Sequence, residues 1–190
     1  MATKPAFQHW TYAEFERLPD DGNRYEIIAG ELVVSPSPRT KHQRAAVRLT
    51  AALEVFTQAH GFGEVYAAPT DVLLSDGDFL VPDLVFVRRD RAEIVSERAI
   101  ESAPDLFIEV ISPSTALRDR GIKRERYALF GVPLYWVVDV DLRQIEVYRL
   151  AESPYEPVEI ATDTLVWQPV EDGPSLTLSV PDVVGAPADA

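Results

Sequence analysis

The runs LVPDLVFV at residues 80–87 and DLFIEVI at residues 105–111 decide how this chain is read. Both are short, apolar and rich in β-branched and aromatic residues, the pattern of central strands buried on two faces. Working outward from the second run, residues 115–130 read as a helix that ends at Gly131-Val132-Pro133. LYWVVDV and QIEVYRL then flank Asp141-Leu142-Arg143 as a β-hairpin. Upstream, further strands are predicted near 64–67 and 70–75, and a short helix or loop over roughly 90–102 joins the two central strands. Residues 40–60 read as the longest helix. Val47, Leu49, Ala52, Leu53, Phe56 and Ala59 recur there near a 3.6 period, and Gly61 is placed to cap it.

Before that helix, runs at 24–28 and 31–35 flank Ala29-Gly30, a tight hairpin signal, and Pro36 and Pro38 stop the second run. Residues 10–18, WTYAEFERL, read as a short amphipathic helix with Thr11 as N-cap and Glu14 three residues on; PDDGN at 19–23 ends it. Beyond 152, strands are expected near 157–161, 164–168 and 175–179, and GAPADA at 185–190 reads as a frayed end. The order α, ββ, α, several β, α, ββ and a β-rich tail predicts an α/β (α+β) domain with a mixed central sheet.

The 190 residues suit a single domain spanning 1–190, long enough to bury a core without staples. There are no cysteines, which excludes disulfides, zinc–thiolate sites, iron–sulfur clusters and cysteine nucleophiles. No apolar run approaches the ~18 residues of a membrane span. The opening MATKPAFQHWTYAEF has no apolar h-region, so no signal peptide and a cytoplasmic location are expected. The net charge of −13 argues against a polyanionic partner, but it is uneven. Residues 151–190 hold 8 acidic and no basic side chains, whereas residues 1–150 hold 18 basic against 23 acidic, leaving room for a local basic surface. G-x-G-x-x-G, the P-loop pattern and G-x-S-x-G are absent, so dinucleotide, P-loop and serine-hydrolase chemistry lack support.

Asp83 and Glu109 stand in the two core-like runs where a hydrophobe is expected. A buried charge costs several kcal/mol unless paired or metal-bound, so two such carboxylates invite a hard divalent cation, Mg2+ or Mn2+. The plainer alternatives are acids at strand ends facing water, or acids paired with arginine. In SPSTALRDRGIKRERYALFG, Asp119, Lys123 and Tyr127 are spaced i, i+4, i+8 and share one helical face. Lys123 there either reaches a phosphate or attacking water, or forms a surface pair with Asp119 in a basic face made with Arg118, Arg120, Arg124 and Arg126. His42 and Gln43 open the long helix, where backbone N–H groups favour anions, and Glu26 and Glu31 flank the hairpin. Tyr135, Trp136 and Trp167 read as core or interface, and His9 and His60 as incidental.

Taken together, YEIIAGELVVSPSPRTKHQRAAVRL, GFGEVYAAPTDVLL, VPDLVFV and PDLFIEVISPSTALRDRGIKRERYALFGVPLYWVVDVDLRQIEVYRL resemble the Uma-two family of restriction-endonuclease-like proteins, within the PD-(D/E)XK nuclease superfamily. The resemblance covers about residues 8–150 and is less clear over the acidic extension at 151–190. It implies a restriction-endonuclease-like fold, a mixed sheet flanked by helices with a metal-dependent phosphodiesterase site at one edge. Asp83 matches the first acidic position and Glu109 the second. The lysine usual two residues after the second acid is Ile111 here, and Lys123 on the following helix fits its role. Glu26, His42 and Gln43 fall in family-typical segments as supporting residues. The resemblance thus implies an Mg2+- (or Mn2+-) dependent endonuclease acting on DNA and leaving 5′-phosphates. Enzymes of this fold are often dimeric, which implies a homodimer or higher homo-oligomer. Two other readings stay open: a catalytically inactive binding or assembly protein on the same fold, and a hydrolase of a small phosphodiester.

Overall fold

A computed structural model describes residues 9–18, 21, 23–35 and 37–185. In chain order they form α1 (Tyr12–Phe15), β1 (Arg24–Ile28), β2 (Glu31–Ser35), α2 (Thr40–His60), β3 (Gly63–Ala67), β4 (Val72–Ser75), β5 (Asp78–Leu80), β6 (Leu84–Arg88), β7 (Leu106–Ile111), α3 (Ala116–Arg118), α4 (Arg124–Leu129), β8 (Leu134–Asp139), β9 (Gln144–Arg149), β10 (Glu159–Ala161), β11 (Thr164–Trp167), β12 (Leu176–Ser179) and α5 (Val180–Val184). A 3-10 turn over Arg89–Ile94 follows β6, and a wide π turn over Asp119–Lys123 joins α3 to α4.

Six strands form the central sheet in the order β10-β9-β8-β7-β6-β3. Only the β7–β8 pair is parallel, because its connection crosses over through α3 and α4. The other neighbours are antiparallel, so the sheet is mixed, as the order of elements predicts. All six residues of β7 are buried, as a central strand covered on both faces requires. One face carries Leu106, Ile108, Val110, Trp136 and Val138 against Leu49, Leu53 and Phe56 of α2 and against Leu165, Trp167 and Leu178 of the β11–β12 hairpin. The other carries Phe107, Ile111, Tyr135 and Tyr148 against Tyr127 of α4 and Ile28, Val72 and Leu80 of a second, four-stranded sheet ordered β2-β1-β5-β4.

Local chemistry explains the element boundaries. Ala29 and Gly30 take φ of 52° and 79°. Positive φ at both central residues is what a two-residue turn matched to strand twist needs. Gly61 closes α2 at φ 64°. Thr11 caps α1 reciprocally: Glu14 N–H donates to Thr11 Oγ1, and Thr11 N–H to Glu14 Oε2. Gly63 sits at φ 150°, where a Cβ would collide with the Val87 carbonyl oxygen across the β3–β6 pair.

The structure departs from the sequence reading in several places. LVPDLVFV is not one strand. Leu80 ends β5 in the four-stranded sheet, and β6 begins at Leu84. Pro82 has no N–H to give a ladder, and the Val81 N–H goes to Glu26 Oε1 at 3.1 Å, so the segment turns from one sheet to the other and leaves Asp83 at the mouth of β6. The helix expected over 115–130 is broken at Gly121 (φ −105°, ψ −107°). That over 10–18 shrinks to one turn, and Val47 of α2 faces solvent. Strand β5 and helix α5 were not anticipated. Of the turn at 19–23 only Asp21 and Asn23, and of GAPADA only Gly185, lie within the described residues. Among the described residues no helix is long and apolar enough to cross a membrane.

Candidate active site

The register of β6 on β7 pairs Leu84 with Ile108, which brings Asp83, one residue before β6, alongside Glu109, one residue further along β7. The two carboxylates that interrupt separate apolar runs are therefore neighbours. They line one cleft of about 220 Å³ together with Glu26, Ser35, His42, Ser112, Ser114, Arg118, Asp119 and Lys123.

Each acid has one oxygen tied and one left over. Asp83 Oδ2 accepts the Val110 N–H at 2.8 Å and lies 2.9 Å from His42 Nε2. Glu109 Oε1 accepts Lys123 Nζ at 2.8 Å and the Tyr127 hydroxyl at 2.9 Å. Among the described residues nothing donates to Asp83 Oδ1 or Glu109 Oε2. His42 reaches the site because α2 starts at the cleft, and its Nδ1 is buried without a partner among the described residues.

Lys123 is the hub of the buried charges. Its Nζ lies 2.7 Å from Glu26 Oε1, 2.8 Å from Glu109 Oε1 and 3.9 Å from Asp119 Oδ1, and its side chain is 3% exposed. Glu26 is fixed from the hairpin side, accepting Ser35 Oγ at 2.8 Å as well as the Val81 N–H. One ammonium neutralises one carboxylate here. Burial works against ionised Glu26, but Lys123 and these two donors hold its carboxyl below the usual range. Burial drives Glu109 the other way, to about 8, with Lys123 only partly offsetting it and Asp119, Asp83 and Glu26 adding to the rise. Burial also raises Asp119, whose Oδ1 has no hydrogen-bond partner among the described residues. Burial disfavours a charged Lys123, yet the surrounding carboxylates carry its pKa above the ordinary lysine value.

The π turn distributes the remaining basic residues. Arg120 grips the β8–β9 pair, with Nε 3.0 Å from Glu146 Oε2 and Nη2 2.8 Å from Asp139 Oδ2. Arg126 forks onto Asp78 of β5, at 2.7 Å through Nε and 2.5 Å through Nη2. Both ties lock the α3–α4 segment over the sheet, and neither was anticipated from sequence.

Of the residues singled out from sequence, Asp83, Glu109, Lys123, Glu26 and His42 meet in the cleft. Gln43 does not line it and is exposed on α2. Tyr135, Trp136 and Trp167, read from sequence as core or interface, are buried in the core. From sequence Arg118 reads only as part of a basic face, and neither Ser35 nor the Tyr127 bond to Glu109 is singled out. The helical spacing of Tyr127 from Lys123 was the available signal. Among the described residues no three His, Asp or Glu side chains converge into a ready-made cation cage. Two carboxylates with one free oxygen each still fit Mg2+, which keeps several waters and takes one or two carboxylates plus substrate phosphate.

A crystal structure described as a putative nuclease belonging to DUF820, from Anabaena variabilis ATCC 29413, superposes with a TM-score of 0.73 at 21% identity, over 92% of this chain and 97% of that one. The likeness shows a shared fold. Among curated proteins none matches the chain. The sequence profile of Uma2, described as putative restriction endonuclease, matches residues 12–181, and the chain belongs to that family.

Proposed function

We propose that this chain is a divalent-metal-dependent endonuclease that hydrolyses phosphodiester bonds of DNA. The observation that carries this reading is the adjacent pair Asp83 and Glu109 in one cleft, each with one oxygen fixed by two neighbours and the other without a donor among the described residues. Those free oxygens would hold Mg2+ or Mn2+. When bound, the ion supplies Lewis-acid polarisation of the phosphodiester and acidifies the attacking water. His42 and the Val110 N–H orient Asp83, and Tyr127 and Lys123 orient Glu109. Lys123 assists with fixed positive charge beside the reacting phosphate. Hydrolysis adds water across the P–O3′ bond and leaves a 5′-phosphate and a 3′-hydroxyl. A homodimer or larger assembly would align two clefts along one substrate, and sedimentation velocity reads this directly.

Nicking of supercoiled plasmid tests the proposal. Cleavage should require Mg2+ or Mn2+ and disappear in Glu109→Gln and Lys123→Ala. Loss in the first alone would keep the nuclease and reject the lysine. No cleavage of double-stranded DNA, single-stranded DNA or RNA by folded wild type would favour a non-catalytic binding protein.

A further inference from the structure

We infer that Arg118 is the residue that grips the scissile phosphodiester of the substrate. The inference rests on the nuclease reading and goes beyond it, because neither the acid pair nor Lys123 accounts for how the cleft holds a phosphate.

Three arginines of one segment make the comparison. Arg120 and Arg126 are spent on two-pronged ion pairs with Glu146 and Asp78. Arg118 is not. Among the described residues its one hydrogen bond runs from Nη2 to Ser35 Oγ at a long 3.4 Å, and Nη2 is 3.8 Å from Glu26 Oε2. Nε is 3.8 Å from Asp119 Oδ1 and is buried with no hydrogen-bond partner among the described residues. Exposure does not explain the difference: the Arg118 side chain is 20% exposed, against 30% for Arg120 and 23% for Arg126. A guanidinium presents five N–H donors, so this half-buried one, which makes a single long bond among the described residues, keeps most of its capacity in reserve.

The surroundings say what that reserve is for. Arg118 lines the same cleft as Asp83 and Glu109, where Ser35, Ser112 and Ser114 add small hydroxyls. Lys123, a second cation there, already touches two carboxylates at 2.7 and 2.8 Å and is almost fully covered. A planar fork with free donors matches two non-bridging phosphate oxygens. Lys123 thus supplies fixed charge from among the buried acids, while Arg118 makes the direct grip on the phosphate, with Arg24 and Arg39 also lining the cleft.

The test is fluorescence anisotropy of a labelled oligonucleotide, as duplex and as single strand, with Ca2+ in place of Mg2+ and across a NaCl series. Arg118→Gln should weaken Kd about tenfold and lower the slope of log Kd against log salt by about one. Its Mn2+ affinity by isothermal titration should stay at the wild-type value. Arg118→Lys keeps the charge without the fork and should keep the salt slope while losing about threefold in Kd. If Arg118→Gln does not fold, an unaltered Kd in Arg118→Lys overturns the proposal. So do wild-type Kd and slope in Arg118→Gln, and so does a parallel loss of Mn2+ binding. Wild type that binds neither Mn2+ nor oligonucleotide overturns the nuclease reading itself.

Discussion

His42 Nε2 and Asp83 Oδ2 lie 2.9 Å apart, joining the first turn of α2 to the mouth of β6. Asp83 stands outside any strand ladder, so this contact and the Val110 N–H are what aim its carboxylate. Groups that orient a ligand carboxylate typically account for 10–100-fold in metal affinity. His42→Ala should therefore weaken Mn2+ binding by about that factor, measured by isothermal titration. His42→Gln places an amide N–H near the Nε2 position and should stay within about threefold of wild type, a small fraction of the loss in His42→Ala. Equal losses in both variants would remove the orienting role.

Glu109 leads to a proton count. Its carboxyl is held up to about 8, so in the metal-free chain at neutral pH it is mostly protonated. Binding a cation must expel that proton. Titration with Mn2+ at pH 7 in buffers of different ionisation enthalpy should show close to one proton released per ion, and at about pH 9.5 close to none, because by then the carboxyl is ionised. Glu109→Gln should release none at either pH.

The same group sets a sign for stability. A carboxyl whose folded pKa lies above its ordinary value near 4.5 binds more protons folded than unfolded. Its contribution is fully present below about 4.5 and is lost as pH rises through about 8. The urea midpoint of the metal-free protein should therefore fall across that window, and Glu109→Gln should flatten the fall. A wild-type midpoint that rises there would contradict the assignment.

Asp78 is 1% exposed and takes four donors: two from Arg126, one from the Ala29 N–H and one from Ser75 Oγ. Removing the guanidinium leaves a buried carboxylate uncompensated. Arg126→Met should cost about 3 kcal/mol in urea unfolding. Replacing both partners by apolar residues should cost less than the single change, since burying the pair itself is expensive.

Gly63 gives a steric prediction. Alanine there meets the Val87 carbonyl oxygen at a backbone φ of 150°. Gly63→Ala should destabilise by about 2–3 kcal/mol in thermal or urea unfolding, whereas Gly131→Ala, with nothing within 4 Å of its Cβ, should cost only the strain of its positive φ, about 1 kcal/mol.

What sequence could show followed the range of its signals. The helix at 40–60 was legible end to end because a long apolar period and a capping glycine agree. The carboxylates at 83 and 109 were legible as misfits in apolar runs. Their adjacency was not, since it depends on strand register, which no local pattern encodes. The split of LVPDLVFV had a local sign in Pro82, but the reason, a Val81 N–H turned toward Glu26, joins residues 55 apart. The Arg126–Asp78 pair, 48 apart, was equally beyond local reach. Gly121 was a visible break in a helical pattern, yet its outcome, a π turn that faces Arg120 and Lys123 to different partners, is decided by Glu146, Glu26 and Glu109 on three strands.

That π turn constrains how the segment can change over time. Deleting one residue between Asp119 and Lys123 would turn everything after it by about 100°. Lys123, Tyr127 and Arg126 would then lose Glu109 and Asp78 together. Exposed positions such as Ile122 can accept many side chains without that result. Length, more than residue identity, is what this stretch has to preserve, so insertions and deletions there should be far rarer than substitutions.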